Sequence, residues 1–248
     1  MKKIEGIEYF DVADISEMFH RKMSEDELRK YFEDGKIKGK KIENKWHADN
    51  DAIEDFMKVL QDERCFTIGP LDIDISNIDM TGRILDIGGG GEGVIGLCKG
   101  EQVVAIDYNK KELEEAPESK ALNIVMDAKD LKFLDNTFDS AAAFFTFMYI
   151  PLADHKKIFQ EIFRVLKPRG EFFLWELIIP NRSGNEKDIY LIYLKVKISE
   201  DIIGTGYGVK WDKEQDECHF LSLAKEVGFE VIEQEVEENV FYLKFKKP

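Results

Sequence analysis

Only three cysteines, Cys65, Cys98 and Cys218, occur in 248 residues, and they lie far apart. An odd, scattered set forms neither a disulfide framework nor a Cys-x-x-Cys metal site, and these read as buried free thiols, with no metal expected. Long apolar runs are also missing. The longest candidate, Ala141 to Ala153, is too short to cross a bilayer and contains Thr146 and Pro151, so it reads as a buried strand with its exit loop. The opening MKKIEGIEYF lacks the apolar centre of a secretory signal, and a cytoplasmic protein without membrane attachment is expected. Basic residues are in deficit, 35 against 50 acidic, for a net charge of −15. That balance opposes nonspecific attachment to nucleic acid or anionic lipid. The deficit is uneven: residues 1–60 hold 12 Lys/Arg and 15 Asp/Glu, so most of the negative charge belongs to the rest of the chain.

What is present is a globular composition, 44% hydrophobic and 34% charged, with six prolines and 18 glycines acting as punctuation. Residues 1–62 carry a small helical domain. Ala13 to His20 places Ile15, Met18 and Phe19 on one face, and Ser24 opens a capping box with Glu27 ahead of Leu28, Tyr31 and Phe32. Gly35 ends that helix, Lys36 to His47 reads as a short hairpin, and Asp49 or Asn50 caps a third helix bearing Ile53, Phe56, Met57 and Leu60. Residues 63–82 read as linker and entry segment, with a turn at Gly69-Pro70.

From Arg83 onward, apolar strands alternate with helical segments, which predicts an α/β domain over 83–248 with a mainly parallel sheet. The end differs, because Phe229–Val236 and Val240–Phe245 are separated by only three residues and must form an antiparallel hairpin. The predicted strand Arg83–Ile87 runs directly into Gly88-Gly-Gly-Gly-Glu-Gly93. Glycines at such a turn permit close approach of a ligand, but a plain structural turn or a nicotinamide dinucleotide site uses the same device. Asp86, Asp107 and Asp127 add the discriminating feature, falling at the carboxyl ends of three consecutive strands, where open α/β sheets bind ligands. A carboxylate at Asp107 can accept both hydroxyls of a ribose, and one at Asp127 an adenine amino group.

The run LDIGGGGEG, then VVAIDYN, MDAKDLKFLDNTFD and FQEIFRVLKPRGEFFLWE, from Arg83 to Glu176, resembles the class I S-adenosylmethionine-dependent methyltransferases. The resemblance implies a Rossmann-like methyltransferase sheet with a closing antiparallel hairpin, S-adenosylmethionine as cofactor and a small-molecule methyl acceptor. It assigns the cofactor to Asp86, Gly88, Gly89 and Gly90, Asp107 with Tyr108, and Asp127 with Ala128. Phe144 and Phe145 would line the methionine and sulfonium end. One departure is visible: Glu92 takes the place of the family's last glycine, and it reads as a helix-start charge.

Methyl transfer from a sulfonium needs alignment and exclusion of water more than a base. Base candidates are Tyr149, His155, Glu176, His219, Tyr190, Tyr193 and Tyr207, each of which has a structural reading as well. An insertion at about 178–214 predicts a β-ribbon or lid beside the acceptor pocket, and no motif in the chain names the acceptor. Residues 9–60 resemble excisionase and MerR-type winged helix-turn-helix modules, through Val12–Met18, Glu27–Lys36, Lys45-Trp46 and Ala52–Phe56. Five lysines between Lys36 and Lys45 can meet phosphates from a wing. The rival reading is therefore a DNA-binding regulator that uses the second domain as a ligand sensor. The turn Arg21-Lys22-Met23 and the carboxylates Glu25, Asp26 and Glu27 at the start of the second helix bear on it, and those carboxylates oppose a phosphate-rich groove.

Overall fold

A computed structural model describes residues 1–19, 23–184 and 186–248. The chain divides into two units, Met1–Phe66 and Thr67–Pro248. In the first, β1 (Lys2–Ile4) and β2 (Ile7–Asp11) form a hairpin, followed by α1 (Val12–Met18) and α2 (Glu25–Glu33). Then come β3 (Lys40–Ile42), β4 (Lys45–Ala48) and α3 (Asn50–Arg64). Capping chemistry sets the helix starts. Asp11 exchanges hydrogen bonds with Asp14, Ser24 does so with Glu27, and the Asp49 side chain accepts from Ala52 N–H at 2.9 Å.

The four strands pair antiparallel in the order β1-β2-β4-β3. Phe10, Ile15, Leu28, Phe32, Ile53 and Phe56 fill the core beneath them. The expected hairpin is β3–β4, and a second hairpin, β1–β2, uses residues to which the sequence pattern assigned no element. His20, Arg21 and Lys22, which include the turn weighed above for DNA contact, lie outside the described residues.

The second unit begins within β5 (Cys65–Asp74) and continues through β6 (Ile84–Ile87), α4 (Val94–Lys99), β7 (Val103–Asp107), α5 (Lys110–Glu115) and β8 (Leu122–Val125). It goes on with β9 (Phe138–Phe144), α6 (Leu152–Val165), β10 (Leu166–Leu177), β11 (Ile189–Ile198) and β12 (Asp201–Lys210). The last elements are α7 (Glu217–Val227), β13 (Glu230–Val236) and β14 (Val240–Lys246). Seven strands make one sheet in the order β13-β14-β10-β9-β6-β7-β8. The pairs from β8 to β10 are parallel, and β14 runs antiparallel to both β10 and β13. The expected parallel sheet and closing hairpin are both present.

Alternation along the strands builds two apolar layers. Ile84, Ala105, Ala142, Phe173 and Trp175 share one cluster with α4 and with Tyr190, Ile192, Leu194 and Val196 of β11. Leu85, Ile106, Ala143, Phe172 and Leu174 share the other with Ile158, Phe159 and Ile162 of α6 and Phe220 of α7. The ribbon expected in the insertion is the antiparallel pair β11–β12.

Two sequence expectations need correction. Residues 65–74, read as linker, form strand β5 of a three-stranded sheet in the order β12-β11-β5, because Ile68, Leu71 and Ile73 turn to the same apolar layer as β11. The cysteines are not uniformly buried: Cys65 and Cys98 are half-buried and Cys218 is exposed on the first turn of α7. Among the described residues, no helix is long and apolar enough to cross a membrane.

Candidate functional site

Parallel strands deliver their carboxyl ends to one edge, and the three aspartates lie there. Asp86 is the third residue of β6, with Ala105 and Ala142 as its cross-strand partners, so a carboxylate stands on an apolar face between two small side chains. It is 2% exposed. Burial, and then the nearby Asp107 carboxylate, push its pKa up to about 7. Asp107 ends β7, and its Oδ1 accepts from Asn109 N–H at 2.7 Å. Asp127 follows β8 by two residues, and its Oδ1 accepts from Lys129 N–H at 2.9 Å, with Ala128 half-buried beside it. Both residues thus fix the turns they begin, and Asp127 Oδ2 also lies 3.9 Å from Lys129 Nζ.

The glycine turn packs against these groups without room for side chains. A Cβ at Gly89 would lie 2.4 Å from Asp86 Oδ2, one at Gly90 2.9 Å from Asp107 Oδ2, and one at Gly88 2.4 Å from the Thr146 side chain. Gly88, at φ 72°, also needs a conformation that L residues rarely adopt. Gly88 and Gly89 donate their N–H groups to Ile106 O at 2.8 and 3.0 Å, which anchors the turn to β7. Tyr108, by contrast, is almost fully exposed.

On the other side of β6, Phe144 closes β9 and Phe145 follows it at φ 51°, an uncommon conformation for an aromatic residue. Phe145 is held there by its N–H bond to Trp175 O at 2.9 Å and by stacking on Tyr207, with ring centroids 5.4 Å apart. Thr146, which no sequence signal marked, donates its hydroxyl to Ile87 O at 3.0 Å and ties this segment to the glycine strand.

The base candidates separate by burial. Tyr149, 54% exposed, lies in a short 3-10 turn, Phe147–Tyr149, with its hydroxyl against the backbone of Gly208. That turn is braced from below. Glu176 accepts the Phe147 N–H, and also Gln215 Nε2 at 3.0 Å. His155 Nε2 faces the Phe147 and Ile150 carbonyls, both at 3.1 Å, so it carries the ring proton and donates to them, leaving Nδ1 to face His219 Nε2 at 3.0 Å. Lys213 Nζ donates to the same two carbonyls.

Glu176 and His155 are wholly buried. Burial raises the Glu176 carboxyl to about 7 and lowers the His155 imidazole to about 4. Glu176 and His155 hold the turn, and His219 packs against His155 behind it. Tyr190 packs edge-on against Trp211 inside the apolar layer, and Tyr193 sits over Gly206 on the opposite face of the ribbon.

Glu92 departs from its expected role. Helix α4 starts at Val94 after Gly93, without a side-chain cap, and the Glu92 carboxylate instead accepts the Thr205 hydroxyl of β12. The Tyr207 hydroxyl faces the same pair, and burial with that neighbouring carboxylate keeps its proton bound well above the ordinary tyrosine range. Periodicity hides Thr205 and Tyr207 until the glycines are set aside: Gly204, Gly206 and Gly208 alternate with them on the other face of β12.

Residues 85–174 match the family model described as Methyltransferase domain. The chain is 33% identical over 121 residues to a demethylmenaquinone methyltransferase of Thermotoga maritima, covering 46% of this chain and 51% of that protein. It is 28% identical over 151 residues to a sterol 4-C-methyltransferase of Caenorhabditis elegans, covering 61% of this chain and 42% of that one. The chain thus spans about half the length of the curated relatives it matches. Among solved structures, a methyltransferase from Methanosarcina mazei described as dependent on S-adenosylmethionine superposes with a TM-score of 0.52 at 21% identity, over 68% of this chain and 94% of its own. Residues 85–174 are therefore similar to a methyltransferase domain, and the chain shares the fold of that Methanosarcina mazei protein.

Proposed function

We propose that this chain transfers the methyl group of S-adenosylmethionine to a small-molecule acceptor. The observation that carries the proposal is the packing of Asp86 and Asp107 against one side-chain-free glycine turn at the carboxyl edge of a parallel sheet. The residues suit the cofactor: it presents a ribose, an adenine, an ammonium and a carboxylate, and the strand-end aspartates Asp107, Asp127 and Asp86 offer acceptors for the first three. Asp107 Oδ2 takes ribose hydroxyls beside the exposed Tyr108, Asp127 and Ala128 take the adenine edge, and Gly88, Gly89 and Gly90 with Asp86 take the methionine end.

When bound, the cofactor supplies an electrophilic methyl group on a sulfonium. The protein's part is to align and to exclude water. Phe144 and Phe145, only 7% and 2% exposed, meet edge-to-face at 4.8 Å and form an apolar floor beneath the cationic end rather than an open aromatic surface. The Phe147–Tyr149 turn, braced by Glu176 and His155, holds Tyr149 at the same edge, where its ring borders the acceptor side and its hydroxyl meets the Gly208 backbone of the ribbon. No proton transfer is required of the chain when the acceptor arrives as a neutral or already ionised nucleophile. The relatives above are named for a sterol and for demethylmenaquinone, and both support a small acceptor over a macromolecular one.

The first unit belongs to the proposal as a winged helix-turn-helix-like module serving as an adaptor or dimer contact. A DNA-reading role is not favoured, since Glu25, Asp26 and Glu27 place three carboxylates at the start of α2 and the nearby Arg29 is drawn to two of them instead of being offered to phosphate. Calorimetry with S-adenosylmethionine and S-adenosylhomocysteine tests the central claim: micromolar binding of either is expected, and a folded protein that binds neither would remove it.

A further inference from the structure

Glu92 stands where the resemblance calls for glycine, in the turn that the proposed cofactor uses, yet its carboxylate is spent on the ribbon. The turn has reason to need such a tie. Gly88, Gly91 and Gly93 all sit at positive φ, and glycine-rich segments lose the most conformational freedom when a ligand orders them. The ribbon is the rigid partner in the contact. The inward side chains of β11, Tyr190, Ile192, Leu194 and Val196, are buried in the apolar layer against the central sheet, so β12 is anchored independently of any ligand. Stacking of Tyr207 on Phe145 adds a second tie, between β12 and the segment that ends β9.

We infer that Glu92 is a positioning residue: by accepting the Thr205 hydroxyl, with Tyr207 beside it, it clasps the β11–β12 ribbon to the glycine turn and couples cofactor binding to the local order of β12. The inference rests on the cofactor reading above. A clasp of this kind keeps the turn ordered before the ligand arrives, and by linkage the ligand must tighten the ribbon by as much as the ribbon favours the ligand. Glu92 itself need not touch the cofactor, because Thr205 and Tyr207 already occupy it.

The test combines S-adenosylhomocysteine calorimetry with hydrogen exchange of the β12 amides, residues 201–210. In the wild type, the ligand should slow exchange in β12. Glu92→Ala should speed that exchange in the free protein, weaken S-adenosylhomocysteine about five- to tenfold, the worth of a hydrogen bond or two, and abolish the ligand-induced protection. Glu92→Gln, which keeps an acceptor oxygen, should restore most of the affinity. The double variant Thr205→Val/Tyr207→Phe should lose as much affinity as Glu92→Ala, and combining all three should cost nothing more. Unaltered binding by the double variant, or independent losses that multiply, overturns the clasp. A wild type that binds no S-adenosylhomocysteine removes the cofactor reading and the coupling together, and the free-protein exchange rates still report on the Glu92–Thr205 contact alone.

Discussion

Asp86 and Asp107 reach the same glycine turn from neighbouring strands, Asp86 against Gly89 and Asp107 against Gly90. Their mutual repulsion helps to hold the buried Asp86 near neutrality in its titration. A cationic ammonium placed there would favour the ionised form. Binding of S-adenosylhomocysteine should then release a proton below pH 7, so affinity climbs from pH 5.5 to about 7.5 and levels off, by roughly tenfold or more. Asp86→Asn should bind weakly with a flat profile, and calorimetry across that range reads both.

Asp107→Ala removes the acceptor proposed for the ribose and should weaken S-adenosylhomocysteine by about 1.5–3 kcal/mol. Equal affinity in the variant would leave Asp107 with its bond to Asn109 as its whole role.

Space around the glycines gives a paired prediction. Gly89→Ala puts a methyl 2.4 Å from Asp86 Oδ2 and 2.8 Å from Ala105 Cβ, and should lower stability by about 1–3 kcal/mol and abolish measurable cofactor binding. Gly204→Ala meets nothing within 4 Å and should leave both properties intact or raise stability slightly. Thermal unfolding and calorimetry on the two variants separate crowding from a general intolerance of alanine.

Glu176 keeps its proton to about pH 7 in the folded chain, whereas an unfolded glutamate loses it near 4.5. Between those values the folded state binds more protons, so this group's contribution to stability is full below about pH 4.5 and falls away as pH rises through 7. Glu176→Gln should therefore gain on the wild type by about 2–4 kcal/mol between pH 5 and pH 8, measured as the difference of two denaturant titrations. Glu176→Ala, which strips the buried Phe147 N–H of its partner and leaves Gln215 Nε2 only the Leu177 carbonyl, should destabilise at every pH.

For the first unit, anisotropy with a labelled duplex at low and moderate salt should show no saturable binding. A steep loss of binding with salt would instead restore the regulator reading.

Local chemistry was legible in the sequence, and distant pairing was not. Ser24, Asp86, Asp107 and the three-residue link between the last strands all announce themselves through neighbours in the chain. Strand β5 does not. Gly69-Pro70 reads as a turn, but Gly69 is there because a Cβ would lie 2.3 Å from the Tyr193 carbonyl of β11, more than a hundred residues downstream. Glu92 and Thr205 are likewise 113 residues apart, and nothing in the spacing of either reveals the other. His155 and Glu176 look like chemistry from their residue types alone, and only their burial beneath the Phe147–Tyr149 turn identifies them as its supports.

The position of β14 has a consequence for biosynthesis. Because it lies between β10 and β13 rather than at the margin, β10 has no partner on that side until the chain through Lys246 has left the ribosome. The apolar faces of Phe172, Leu174 and Trp175 must wait through that interval beside an unpaired backbone. A nascent chain stalled anywhere before Val240 would present that open edge to chaperones or to other chains, which makes the late-synthesised strand the point where folding and aggregation compete.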